Sequence, residues 1–326
     1  ETVTPGDLAR IRRLLQRKAV TTEISVYEEA GKAEAEPSTS AAATVSSQEA
    51  RDKHEVSRDD IVRFKKVKEG IDHAKDLGTL PAVYQNAMTL LNDQASNRRD
   101  IAGVLRQDQA IVTKVLRVVN SPLFAFSRRI ATIEDAIPLL GFGEIKNIVT
   151  SVSVIASFPS GGGSQMFDRK LFWRHSAGCA IIAKVLARKF KIRSEEECFT
   201  AALVHDIGKL ALDQIFSDDF RAVIADVNER KVSIREAERA VFGRPHQVVG
   251  EYLLRKWKIP DILCESVAYH HSPKDAKIDP FLVSVVHTAD VLAHMMHIGE
   301  SGEKIVPEVD DFACEQIGRA SWRARG

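Results

Sequence analysis

The sequence predicts an all-α protein made of two consecutive helical blocks. From about residue 56 onward apolar residues recur at three- and four-residue spacing, no alternating apolar and polar run extends beyond a few residues, and Pro, Gly and Asn-Ser-Pro breaks cut the chain into helix-length pieces. At 326 residues, 44% hydrophobic and 28% charged, the chain has ample material for a core.

Residues 1–20, "ETVTPGDLARIRRLLQRKAV", open with a cap-like Thr4-Pro5-Gly6-Asp7 and continue as a short amphipathic helix with Leu8, Ile11, Leu14 and Leu15 on one face. Residues 21–55 are rich in Ala, Ser, Glu and Thr. That composition buries too little apolar surface to offset chain entropy, so a flexible linker is expected. Residues 56–165 read as an N-terminal helical half. "LPAVYQNAMTLLND" carries Val83, Ala87, Leu90 and Leu91 on one side, and "DQAIVTKVLRVVNSP" carries Ile111, Val115, Leu116 and Val119 before stopping at Asn120-Ser121-Pro122. "TIEDAIPLLGFGEIKNIVTSVSVIASF" reads as two helices hinged at Gly141-Phe142-Gly143. Residues 166–300 form a second block with helices expected in "DRKLFWRHSAGCAIIAKVLARKF", "SEEECFTAALVHDIGKLALDQIF", "SIREAERAVFG", "HQVVGEYLLRKW", "PDILCESVAYHH" and "PFLVSVVHTADVLAHMMH". Residues 301–326 are a tail whose end, "EQIGRASWRARG", resembles translated adapter read-through rather than domain sequence.

Charge and cysteine usage narrow the function classes. A net charge of +1, from 46 basic and 45 acidic residues, argues against a dedicated nucleic-acid surface. The densest basic run, "RFKKVK" at 63–68, reads as a solvated helix face. No segment reaches the ~18 uninterrupted apolar residues of a membrane span. Cys179, Cys198, Cys264 and Cys314 are far apart with no C-x-x-C pair; each is expected as a reduced, small apolar residue, in keeping with the cytoplasm. An opening Glu1 suggests a piece of something longer.

The chemistry concentrates in the second block. "AALVHDIGKLAL" sets His205 beside Asp206 in an apolar run, a costly pair to bury unless a proton, a hydrogen-bond network or a metal ion compensates it. His175, His246, the His270-His271 pair and Asp290 lie in the same stretch of about 115 residues. Imidazole with carboxylate suits Fe, Mn, Co, Ni or Zn better than Ca. On one helix His205 and Asp206 would diverge by about 100°, so other helices must complete a shell. His175 and Asp290 are the expected donors for one ion; His246, His270 and His271, with Asp206 bridging, for a second. Lys209, one turn on, would present an ammonium to a bound anion. His287, His294 and His297 read as caps or satisfied polar groups.

With these residues in view, "LFWRHSAGCAIIAKVLA", "AALVHDIGKLAL", "FGRPHQVVGEYLLRKWKIPDILCESVAYHHSP" and "VSVVHTADVLA" resemble the HDOD branch of the HD-domain superfamily. Upstream, "LGTLPAVYQNAMTLLND" and "LRQDQAIVTKVLRVVNSPLFAFSRRIATIEDAIPLLGFGEIKNIV" resemble the N-terminal half of the same domain, so the likeness spans roughly residues 70–298. It implies an all-helical fold and a role in bacterial signal transduction, often as the output part of a response regulator. "TPGDLARIRRLLQR" is similar to the last helix of a receiver domain. Phosphohydrolases of the superfamily hold a metal with an H…HD…D set, which falls here on His175, His205, Asp206 and Asp290. The related HD-GYP phosphodiesterases extend that set at positions matching His246, His270 and His271. After His271 this chain reads "SPKDAK", with no Glu and no Gly-Tyr-Pro, which counts against cyclic-di-GMP hydrolysis.

Two readings follow. In the first, the chain is a signalling and interaction module with protein partners, governed by a receiver domain. In the second, it is a metal-dependent phosphohydrolase acting on a phosphate-containing small molecule, with Asp206 and Lys209 in catalytic roles. Its cofactor would be one or two ions of Fe, Mn, Ni or Zn, or none.

Overall fold

The computed structural model describes residues 56–323, apart from 75–76, 78–79, 94, 122–123, 125, 159–162, 165 and 191–194. The expected receiver helix (1–20) and linker (21–55) lie outside the described residues. Among the described residues every element is helical, as the periodicity predicts.

Helix α1 (Arg58–His73) starts at a capping box: Ser57 Oγ accepts from the Asp60 N–H, and the Asp60 carboxylate accepts from the Ser57 N–H. The basic run at 63–68 lies on it, with Lys65 and Lys66 exposed. Helices α2 (Ala82–Asn92), α3 (Arg98–Leu105) and α4 (Gln109–Val119) pack around α5 (Ile133–Ala156). Ile101, Leu105, Val115, Val119, Ile145 and Val149 fill that core. The expected hinge in α5 falls at Gly141, whose φ of 82° and ψ of 165° interrupt the helix. With 24 residues α5 is long and apolar enough to cross a membrane by length and composition. It carries Glu134, Asp135, Glu144 and Lys146, however, and its second half packs against α7 in the interior.

The second block opens with α6 (Arg169–Lys189), capped by Asp168, followed by α7 (Glu195–Val204), α8 (Ile207–Ile215) and α9 (Ser217–Arg230). It continues with α10 (Ile234–Phe242), α11 (His246–Lys256), α12 (Asp261–Tyr269), a 3₁₀ turn at Pro273–Asp275, α13 (Pro280–Met295) and α14 (Asp311–Arg323). Helices α7 and α13 both pack on α6, and α8 packs on α11. Helix α1, first in the chain order of the N-terminal half, packs on α8, α10 and α11. It is tied there by Lys256 and Tyr252, which both donate to the Asp72 carboxylate.

Three sequence expectations change. The stretch expected as one helix across 194–216 is two, because the chain turns at His205-Asp206; Asp206 has φ −97° and ψ 11°, and α8 begins after it. Helix α9 extends the helical run where no helix was expected, burying Phe220, Val223, Ile224 and Val227. In the tail, α14 runs into the stretch set aside as foreign, and Ala313 and Ile317 are buried.

Candidate metal centre

The turn between α7 and α8 is the pivot of the site. At Gly208 a Cβ would run into the His246 carbonyl and the Gly250 N–H, so only glycine lets α8 and α11 approach this closely. That contact sets the first residue of α11, His246, against Asp206: its Nε2 lies 3.0 Å from Asp206 Oδ1. From the end of α12, His270 Nε2 stands 3.6 Å from the same oxygen. Half-buried His271 places its Nε2 3.2 Å from His246 Nε2.

On the other side of Asp206 lie α6, α7 and α13. His175 Nε2 is 3.0 Å from Asp290 Oδ1, and His205 Nε2 is 3.3 Å from Asp206 Oδ2 and 3.5 Å from Asp290 Oδ1. Every residue singled out by the sequence is therefore brought together, in two adjoining groups. The donor atoms of His175, Cys179, His205 and Asp290 lie within 4.8 Å of one another, as do those of Asp206, His246, His270 and His271. Asp206 sits between the groups, with Oδ2 facing one and Oδ1 the other. His175, His205, Asp206, Lys209, His246, His270 and Asp290 are each at most 2% exposed.

The imidazoles are held in one orientation. His205 Nδ1–H donates to the Ala202 carbonyl at 2.8 Å, and His270 Nδ1–H to the Val267 carbonyl at 2.8 Å. His246 Nδ1–H donates at 2.7 Å to the Glu238 carboxylate, which also accepts the His246 backbone N–H at 2.8 Å. In all three rings Nε2 is thus turned toward the centre, the arrangement in which a neighbouring acceptor orients a metal-binding histidine. His205 Nε2, Asp206 Oδ1 and His270 Nε2 are buried atoms without a hydrogen-bond partner. Three orphaned, converging nitrogen and oxygen atoms in a buried interior fit a divalent cation, which would displace any proton on the imidazoles and compensate all of them at once.

Lys209 Nζ donates to Asp206 Oδ2 at 2.6 Å and to Ser301 Oγ at 3.4 Å. Burial alone would push the Asp206 carboxyl up, but His205, Lys209 and His246 around it hold it well below the usual carboxylate range. Burial works against the His205 imidazolium too, yet Asp206 and Asp290 carry it up to about 10, whereas burial dominates at His270 and pushes it down to about 4.

Four participants were missed or misread from sequence. Cys179, expected as an inert apolar residue, has its Sγ 3.4 Å from His175 Nε2. His294, expected as a cap or a satisfied polar group, has its Nε2 3.4 Å from Asp290 Oδ1. Each lies one helical turn after an expected ligand residue, a spacing that puts both on the same face. Glu238, fully buried behind His246, is set in α10 with no motif to mark it. Ser301 belongs to a strap following α13, in which Glu300 N–H donates to the Leu171 carbonyl and Gly299, at φ 65°, passes so close to Leu171 and His175 that a Cβ would collide with their backbones. His287 does behave as a satisfied polar group: Nδ1–H donates to the His270 carbonyl and Nε2 accepts from the Asp310 N–H. A separate cavity of about 600 Å³, lined by Phe124, Leu139, Glu144, Glu197 and Ile262 among others, shares no residue with the centre.

Comparison with known proteins agrees with this architecture. An uncharacterized protein of Treponema pallidum (strain Nichols) is 21% identical over 241 residues, covering 72% of this chain and 45% of the relative, so this chain spans less than half the length of that curated relative. Among solved structures, an HDOD domain protein of unknown function from Geobacter sulfurreducens is 26% identical, with a TM-score of 0.68 over 81% of this chain and 88% of that one. A candidate signal transduction protein from Marinobacter aquaeolei VT8 shares the fold at 16% identity, with a TM-score of 0.62 over 81% of this chain and 61% of that one. The HDOD domain model matches residues 77–273, a span that takes in α2–α5 and carries the His/Asp centre from His175 to His271, and on that match the chain belongs to the HDOD domain family.

Proposed function

We propose that this chain is a signal-transduction output module of the HDOD family, acting in the cytoplasm through protein partners, with a His/Asp centre that holds one or two divalent transition-metal ions inside the fold. Phosphorylation of a receiver domain ending in residues 1–20 would reach the helical body through segment 21–55. The observation that carries this reading is enclosure. A catalytic metal keeps a position open to substrate, whereas here His175, His205, Asp206, His246, His270 and Asp290 are at most 2% exposed, only His271 at the rim is half-buried, and Ser301, itself fully buried, lies against Lys209 and His294. An ion held in this way would stabilise one packing of α6, α8, α11 and α13, and so one presentation of the surface to a partner.

A second reading, a metal-dependent phosphohydrolase acting on a phosphate ester or nucleotide, is favoured by one specific feature. Three imidazoles with their Nδ1 atoms engaged and Nε2 atoms converging form a pre-set ligand cage that packing alone does not call for. A metal bound there supplies Lewis acidity and a water of lowered pKa. Within the chain, Asp206 would orient groups on both sides of it, and the Lys209 ammonium would face developing negative charge.

Elemental mass spectrometry on protein purified without chelator or histidine tag tests both readings, alongside hydrolysis assays on phosphate esters and nucleotides. The module reading expects one or two equivalents of Fe, Mn, Ni or Zn, lost in Asp206→Asn with helicity retained, and no turnover. Turnover that disappears in the same variant would transfer the conclusion to the hydrolase. A folded protein free of metal would remove the metal from both.

A further inference from the structure

His175 and Cys179 are one turn apart on α6, and Asp290 and His294 are one turn apart on α13. The two helices pack together, so two pairs with chelating spacing face each other, and His205 closes the group from the turn after α7. His175 Nε2 shows the consequence most directly. It faces the Asp290 carboxylate at 3.0 Å and the Cys179 sulfur at 3.4 Å. As N–H that single nitrogen serves the carboxylate and leaves the thiol at most a weak, shared contact; as a lone pair it accepts from the thiol and leaves the carboxylate facing another acceptor. A cation among the three atoms resolves the conflict by accepting lone pairs from nitrogen, oxygen and sulfur alike. Cys179 is fully buried, with its sulfur among the donor atoms that lie within 4.8 Å of one another.

We propose that Cys179 is a metal ligand, which makes the position bounded by His175, Cys179, His205 and Asp290 a mixed sulfur, nitrogen and oxygen site that selects thiophilic divalent ions (Zn²⁺, Co²⁺, Fe²⁺, Ni²⁺) over Mn²⁺ and Mg²⁺. This rests on the reading that the centre holds metal, and goes beyond it by naming a ligand outside the His/Asp set and a class of ion. Thiolate is the soft ligand of the group, and harder ions gain little from it. On binding, the S–H bond breaks, a sulfur–metal bond forms, and the thiol proton is released to solvent.

The test is cobalt alone. The full chain is produced in cobalt-supplemented minimal medium, and its cobalt content and absorption spectrum are measured. A thiolate-to-cobalt charge-transfer band in the near ultraviolet is expected. It should persist in the triple variant Cys198→Ala, Cys264→Ala, Cys314→Ala and vanish in Cys179→Ser while cobalt stays bound. Zinc affinity should fall at least about tenfold in Cys179→Ser, with manganese affinity unchanged. Bound cobalt without the band in the parent chain, or a band that survives Cys179→Ser, overturns the assignment of Cys179 and leaves the metal centre standing. No cobalt in a folded parent chain overturns both. Should Cys179→Ser lose its helicity, Cys179→Ala and the triple variant decide the question by the same band.

Discussion

Glu265 and Glu238 are both buried carboxylates in the second block, yet they do different work. Glu238 fixes His246 from behind, through two hydrogen bonds to one of its oxygens. Glu265, on α12, accepts the backbone N–H groups of Lys277, Ile278 and Asp279 and so ties the entry of α13 to α12. Burial pushes the Glu265 carboxyl up, but those backbone groups outweigh it and hold the carboxyl below the usual range. A carboxylate depressed in the folded state contributes stability above the unfolded value of 4.5 and loses it as pH falls through the folded one. Glu265→Gln is therefore expected to cost about 1–3 kcal/mol near neutral pH, with the deficit shrinking once pH drops below 4.5, as read by urea denaturation at several pH values. A deficit that does not change with pH would mean that the charge is not what matters. Neither glutamate belongs to a motif, and both were invisible in the sequence because their partners are backbone groups or a histidine several residues away.

At the level of helices, the site residues His205 and Asp206 were legible in the sequence and their local geometry was not. Their apolar surroundings read as an unbroken helix, whereas a turn lets the two side chains serve different neighbours, and nothing in hydrophobic periodicity marks it. The clue lay in Gly208, whose need becomes plain only once α11 is beside it. Gly208→Ala should push α11 away from α8, cost about 1–3 kcal/mol through overpacking, and weaken retention of metal at His246. Unchanged melting and metal content would show that α11 tolerates the shift. The Gly141 break in α5 was legible, because glycine takes a positive φ at no steric cost and two of them fall close together in an apolar run. Helix α9 carries a plain i, i+3, i+4, i+7 pattern at Phe220, Val223, Ile224 and Val227, so the signal for it is present in the sequence even though no helix was expected there.

For the whole molecule, fold class was readable from periodicity, and the gathering of the His and Asp side chains at one place from their co-occurrence. The packing of α1 was not, since residues 58–73 precede the N-terminal half in sequence but rest on α8, α10 and α11. Chain order does not encode such a return. The contacts of α1 and the convergence of α6, α7, α8, α11, α12 and α13 on one centre make ligand binding and global stability a linked equilibrium. Metal at 100 times its Kd is expected to add about 2.7 kcal/mol, so loaded protein should melt several degrees above protein stripped by prolonged chelation. Coincident melting curves would count against a metal that binds only the folded chain.

The strap at Gly299–Ser301 carries a further consequence. With that segment pinned to Leu171 and laid over Lys209, a metal held in the proposed centre would be expected to enter mainly while the chain is still folding. Its identity would then record which ions were at hand during synthesis. Two cells carrying the same gene but differing in zinc and iron supply would, on that reading, hold chemically different versions of this protein, each slow to turn into the other.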